Sequence, residues 1–223
     1  MFGGVYRHTH GHQKRLFDKT AFFCYHNKNK CSFCEGVITA QYISQTNKYI
    51  PPAHYDQIRR NLSTSDRYLC DLLRLTGYRV DDILTSLNCQ WDEDPDKVIV
   101  VELKTKKTRN VQKTPALIAL VDGYRQSIGL SNVHMFDYLC PSLRGGKFSG
   151  SHYNRSTLYR HFQRACKDTG LTAHGYTIHS LRKCFAVDYY QHTRSILAVQ
   201  SALNHDRFTT TLLYLMDCLN ISL

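Results

Sequence analysis

Between Lys97 and Thr114 the chain carries its one β-rich stretch, in which "KVIVVEL" and "TRNVQKT" flank a lysine-rich turn and together read as a hairpin. The other strongly patterned stretches are helical, so the chain is constrained to a helical fold around a single small sheet. "STSDRYLCDLLRLTG" has Ser, Thr and Asp as cap candidates, apolar Tyr68, Leu69, Leu72, Leu73 and Leu75 on helical spacing, and Gly77 as terminator, which predicts a buried helix. "VDDILTSL" restarts a short helix, and "DEDP" turns the chain into the hairpin. Pro115 opens a helix through about Ser127, residues 156–168 form a basic amphipathic helix, and 179–192, 195–203 and 208–216 complete the set. The expected fold class is mainly α with a small antiparallel β-sheet.

"YIPPAHYDQIRR" supplies a Pro-Pro break, which places a boundary near residue 50. The expected division is a basic arm over 1–50, rich in Tyr, His and Asn, a main domain over 51–216, and a tail over 217–223. A chain of 223 residues can bury one ample core. No apolar run approaches the length of a membrane span, and "MFGGVYRHTHGHQKR" lacks the continuous apolar stretch of a secretory signal. Nine cysteines, an odd number without regular spacing, fit a reducing compartment, so the expectation is a cytoplasmic protein with no membrane partner. Cys24, His26, Cys31 and Cys34 invite a zinc reading, but Cys24 and His26 are unusually close for a ligand pair, and unliganded cysteines are expected, with no metal or other cofactor.

Lys and Arg exceed Asp and Glu by 11, and the excess is concentrated. Residues 144–167 hold six basic side chains and no acidic one, and "KTKKTRNVQK" over 104–113 adds five more. Stripes of one sign are the footprint of a chain that neutralises phosphates along a nucleic-acid backbone. Lys106, Lys107, Arg109, Arg155, Arg160 and Arg164 are the expected DNA contacts.

"IHSLRKCFAVDYYQHT" sets His179 three residues ahead of Arg182 at the mouth of an apolar helix. The His-x-x-Arg pattern occurs four times in this chain, at His12, His152, His161 and His179, so it needs support from fixed offsets. That support exists. "VQSALNHDRFTTTLLYL" brings His205 at the end of an apolar helix and Tyr214 nine residues later, and about 100 residues upstream "LTGYRVDDIL" carries Arg79. The order of a TG-x-R turn, a lysine-bearing hairpin, H-x-L-R, L-x-H and a tyrosine resembles the tyrosine recombinases, or phage integrases, over residues 53–216.

The resemblance implies the tyrosine recombinase catalytic-domain fold and DNA cleavage without metal or ATP. Arg79 and Arg182 would grip the nonbridging oxygens of the scissile phosphate with forked donors that stay charged. Tyr214 would form a 3′-phosphotyrosyl bond, His179 would assist its proton transfer, and His205 would donate to a nonbridging oxygen. Matching the hairpin by its valine makes Lys104 the acid for the departing 5′ oxygen, whereas matching by Pro115 favours Lys107. Asp82 resembles the acidic partner that orients the site. Taken singly, each residue has an ordinary explanation: Tyr214 as one of 15 tyrosines, Arg79 and His205 as helix-end caps, and Asp82 as a dipole-complementing acid. Asn204 stands where the family commonly has Gly, and Asn tolerates the left-handed turn required there.

The implied function is site-specific recombination at short inverted repeats, by a chain that is monomeric or dimeric when free, homotetrameric on duplex DNA, and associated with the nucleoid. The alternatives are a type IB topoisomerase, which has a similar residue set, and a catalytically silent DNA-binding regulator on the same fold. The short arm suggests an incomplete clamp relative to integrases with a full core-binding domain.

Overall fold

The computed structural model describes residues 48–129, 134–144 and 147–219. Cys24, His26, Cys31 and Cys34 and the rest of the expected arm up to residue 47 lie outside the described residues, as does the end of the expected tail, 220–223.

Helix α1 (Pro52–Arg60) begins with proline at its first position, where a missing N–H costs nothing. Helix α2 (Thr64–Thr76) starts at Ser63, whose hydroxyl accepts from the Asp66 N–H, and ends at Gly77, whose left-handed backbone (φ 62°) lets its N–H reach the Leu73 carbonyl. Its buried stripe is Tyr68, Leu69, Leu72, Leu73 and Thr76. Leu75, expected on that stripe, is 39% exposed, because it lies off the 3.6-residue register of its neighbours.

Short helices α3 (Val80–Leu84) and α4 (Cys89–Asp92) lead to strand β1 (Lys97–Val101), which pairs antiparallel with β2 (Thr108–Gln112), Val100 opposite Arg109. Val98 and Val100 point into the core while Ile99 and Val101 face out, the alternation of a half-buried strand. Helix α5 (Pro115–Ser127) packs on α2.

A second hairpin, β3 (Pro141–Arg144) with β4 (Lys147–His152), corrects the expectation of a single sheet. Neither strand has an apolar alternation, and β4 is exposed along nearly all its length, so there was no period-2 pattern to read.

Helix α6 (Arg155–Asp168) buries Leu158, Phe162, Ala165 and Cys166. Helix α7 (Ile178–Thr193) is the central element: it packs on α2, α8 (Ile196–Ala202) and α9 (Phe208–Leu219), and its first three turns are buried on several sides. The main core joins α2, α3, β1, α5, α6 and the start of α7. A second cluster of Ala186, Val187, Val199, Leu203 and Leu215 seats α8 and α9 on the far half of α7. Two helix ends, those of α2 and α8, thereby meet beside the β1–β2 turn. Among the described residues no helix is long and apolar enough to cross a membrane.

Candidate active site

Where the ends of α2 and α8 converge, Arg79, Lys104, His179, Arg182, His205 and Tyr214 line one cleft of about 410 Å³, together with Asp81, Asp82, Leu103 and Arg155. The six residues span 136 positions of sequence, from 79 to 214, and come from five different segments.

Arg79 occupies the N-cap of α3, just beyond the Gly77 turn. Tyr78 pins that turn by donating its buried hydroxyl to the Arg109 carbonyl at 2.7 Å. The Arg79 guanidinium, partly exposed to the cleft, lies 2.6 Å from Glu102 and 4.0 Å from Asp82. Arg182, one turn into α7 and 5% exposed, donates to the carbonyls of Gly77 (2.5 Å) and Leu203 (2.6 Å) and stands 3.8 Å from Glu102. Burial, together with the nearby Arg79 charge, lowers the pKa of Arg182 to about 10, so it remains cationic at neutral pH.

His205 follows Asn204, whose φ of 56° is the left-handed turn that Asn tolerates; the Asn204 amide also donates to the Thr108 carbonyl at 3.3 Å. The His205 ring is 3.0 Å from the Thr211 hydroxyl and meets the Tyr214 ring edge-on at 5.7 Å. Burial, then the charges of Arg182 and Arg79, lower its pKa to about 4, which leaves the imidazole neutral at pH 7. His179, in the first turn of α7, reaches solvent, yet the surrounding protein desolvates it and Arg155 and Arg182 repel its charged form, so its pKa also falls. Lys183, fully buried on the next residue after Arg182, places its ammonium 5.8 Å from the Tyr214 ring centre.

The β1–β2 turn separates the two candidate lysines. Lys104 lines the cleft. Lys107 is paired with Asp206 and lines a neighbouring groove with Gln200, Asn204 and His205. Lys106, at the tip with φ 58°, is exposed.

Arg109 corrects an expectation. Its place in a basic stripe suggests a phosphate contact, but its side chain is 3% exposed and faces inward. It donates to the carbonyls of Ala202 (2.5 Å) and Thr76 (2.6 Å) and stacks over the rings of Tyr78 and Phe185, with burial and the Arg182 charge lowering its pKa to about 9. The remaining basic candidates are exposed: Arg155 is paired with Asp81 at 2.6 Å, Arg160 lies 3.4 Å from Thr157, and Arg164 is 82% exposed and 3.7 Å from Asp168.

Glu102 was missed. It is fully buried, and the signal was strand parity: Val98 and Val100 face inward, so position 102 does too. Burial pulls its carboxyl upward, but the Arg79 bond, the Thr105 hydroxyl and the charges of Arg79 and Arg182 win, leaving it below the usual range. Asp82 faces the same floor, accepting from the Leu103 N–H at 2.8 Å; burial outweighs that bond and raises its carboxyl.

An arrangement of two forked cations, two neutral imidazoles, a lysine and a phenol around one cleft suits phosphoryl transfer, in which negative charge builds on the nonbridging oxygens. Residues 45–217 match the phage integrase family model. The chain belongs to the phage integrase family. A probable integrase/recombinase of this kind, YoeC of Bacillus subtilis (strain 168), is 30% identical over 140 residues, covering 63% of this chain and 71% of that protein. Among solved structures, XerA recombinase is similar with a TM-score of 0.61 at 22% identity, covering 77% of this chain and 59% of that one. XerH recombinase in a post-cleavage complex with palindromic difH substrate gives 0.60 at 19% identity, over 79% and 52%. A lambda integrase tetramer bound to a Holliday junction gives 0.60 at 21%, over 75% and 48%. The chain spans about half the length of these solved relatives. At such identities the likeness establishes the fold, that of a tyrosine recombinase catalytic domain, mainly helical with small antiparallel sheets.

Proposed function

We propose that this phage integrase family member is a site-specific recombinase that cuts and rejoins duplex DNA through Tyr214. The observation that carries this reading is the convergence of Arg79, Lys104, His179, Arg182, His205 and Tyr214 on one cleft. In the proposed step the Tyr214 oxygen attacks the scissile phosphorus and the bond to the 5′ oxygen breaks, leaving a 3′-phosphotyrosyl linkage. His179, neutral near pH 7 because its pKa is lowered, takes the phenolic proton. Arg79 and Arg182 hold the nonbridging oxygens, and the neutral His205 ring donates a hydrogen bond to one of them. Lys104 protonates the departing 5′ oxygen. Attack by another strand's 5′ hydroxyl reverses every transfer, so ligation needs no external energy source.

By its likeness to DNA-bound relatives, the substrate is duplex DNA carrying short inverted repeats, the working assembly is a homotetramer on that DNA, and the site of action is the nucleoid. The exposed Lys106, Arg160 and Arg164, and Arg155 at the cleft edge, supply backbone contacts. The proposed catalytic unit is 51–216, with 1–50 as an accessory arm and 217–223 as a tail. Trapping on a nicked duplex built from the inverted repeats flanking the gene tests this. Wild-type protein should form a covalent adduct, and Tyr214→Phe should form none while binding within a few-fold. An adduct from the phenylalanine variant would remove Tyr214 as nucleophile, and relaxation of plasmids lacking any repeat would favour a topoisomerase instead.

A further inference from the structure

We propose that Glu102 is a positioning residue that stands in for phosphate charge between Arg79 and Arg182 and locks the lysine-bearing turn to them before DNA arrives. This rests on the recombinase reading of the same cleft. Each oxygen of the Glu102 carboxylate faces one guanidinium: Oε2 lies 2.6 Å from Arg79 and Oε1 lies 3.8 Å from Arg182. The Thr105 hydroxyl donates to Oε2 at 2.7 Å and fixes the rotation of the group. Glu102 is fully buried, so it forms the floor beneath the arginines and leaves their outer edges to the cleft.

Two guanidiniums at one site repel, and Arg79 does lower the pKa of Arg182. Arg182 is tied down by two carbonyls, whereas Arg79 is partly exposed and, without Glu102 beneath it, would keep only the more distant Asp82 at 4.0 Å to hold it against swinging outward. Glu102 supplies that anion. Because it sits two residues before Lys104, the same ion pair fixes where the turn presents the lysine. A carboxylate here has opposite effects on the two halves of function. Its negative charge weakens attraction for phosphate in the ground state, while its geometry holds the donors where transition-state charge develops. The neutral isostere should therefore bind DNA as well or better and cleave it worse. A residue needed only for folding would lower both.

The test compares wild type, Glu102→Gln and Thr105→Val on the nicked duplex, with the guanidinium N–H signals of arginine, Nη as well as Nε, followed by NMR in the DNA-free protein. Glu102→Gln should form adduct about 10²-fold more slowly, as expected for displaced catalytic groups, with duplex affinity unchanged or higher. Its Arg79 signals should move toward those of a free arginine, while that of Arg67, bonded to the Arg59 carbonyl, stays in place. Wild-type adduct rates, parallel losses of binding and cleavage, or an unmoved Arg79 signal would each overturn the proposal. If Glu102→Gln does not fold, Thr105→Val decides: it keeps the charge but frees the rotation of the carboxylate, so adduct formation should slow with duplex affinity unchanged, and wild-type adduct rates or a parallel loss of binding would overturn the proposal. If wild-type protein forms no adduct on the duplex, the recombinase reading fails by itself, and the Arg79 signal alone sustains or overturns the positioning role.

Discussion

Arg109 and Arg182 clasp the same two helix ends, one residue apart: Arg109 donates to the carbonyls of Thr76 and Ala202, and Arg182 to those of Gly77 and Leu203. The last carbonyls of α2 and α8 have no partner within their own helices and carry the negative end of each dipole, so a cation between them satisfies both ends at once. This pair of guanidiniums sets the distance between the turn bearing Arg79 and the turn bearing His205. Arg109→Ala should destabilise the protein by about 1–3 kcal/mol for each carbonyl left unpaired, read as a fall in the midpoint of chemical unfolding. Arg109→Lys cannot bridge both carbonyls and should recover only part of that loss. Full stability in either variant would remove the clasp.

Gly77 is required twice over. Its φ is +62°, and a Cβ there would lie 2.3 Å from the Phe185 ring. Gly77→Ala should cost about 1–2 kcal/mol for the left-handed backbone and more for the clash. Adding Phe185→Ala should relieve the clash and leave the backbone cost, so a double-mutant cycle separates the two. Strict additivity would mean that the ring moves aside freely.

Much of this arrangement was legible in the sequence because its turns announce themselves. Gly77 ends one helix, Asn204 ends another, and the residues that follow them, Arg79 and His205, are placed by those turns rather than by side-chain preference. Arg109 was placed on the surface and Glu102 passed over, because charge suggests surface. Strand parity with Val100 and Val111 would have turned both inward. The β3–β4 hairpin left no such trace: its strands are short, polar and exposed, and nothing in their pattern distinguishes them from a loop.

His205 should make stability depend on pH. The folded protein binds its proton only below about 4, whereas the unfolded chain does so at the ordinary value of 6.5. Between those values the unfolded state holds more protons, so stability should fall as pH drops through this window and level off below it. The contribution is on the order of 2 kcal/mol, reduced by the open edge of the ring. Unfolding midpoints of His205→Gln should show a shallower fall over the same window, and identical curves would contradict the burial assigned to the ring.

Duplex affinity should fall steeply with salt, each phosphate neutralised contributing about −0.9 to the log–log slope. Lys106→Ala and Arg160→Ala, on exposed side chains, should each reduce that slope by about one contact. Arg109→Lys should leave it unchanged, since that side chain does not reach the surface. A slope that drops with Arg109 instead would return it to the phosphate contacts.

The two candidate lysines can be separated by leaving-group chemistry. Lys104 lines the cleft with the tyrosine, whereas Lys107 is held by Asp206 on the side of the neighbouring groove. If Lys104 is the general acid, its task is to protonate an alkoxide, and replacing the 5′ bridging oxygen by sulfur removes the need, because a thiol with a pKa near 8.5 departs unprotonated. Lys104→Ala should therefore cleave the ordinary strand very slowly and recover most of its rate on the sulfur-substituted strand. Lys107→Ala should show a smaller defect and no such rescue, since its loss frees the turn from Asp206 without removing a proton donor. Glu102→Gln should be rescued only in part, since it displaces the arginines as well as the turn that presents Lys104. Rescue of Lys107→Ala alone would transfer the acid to that residue and shift the hairpin's catalytic register by three positions, and rescue of neither would place the acid outside the hairpin.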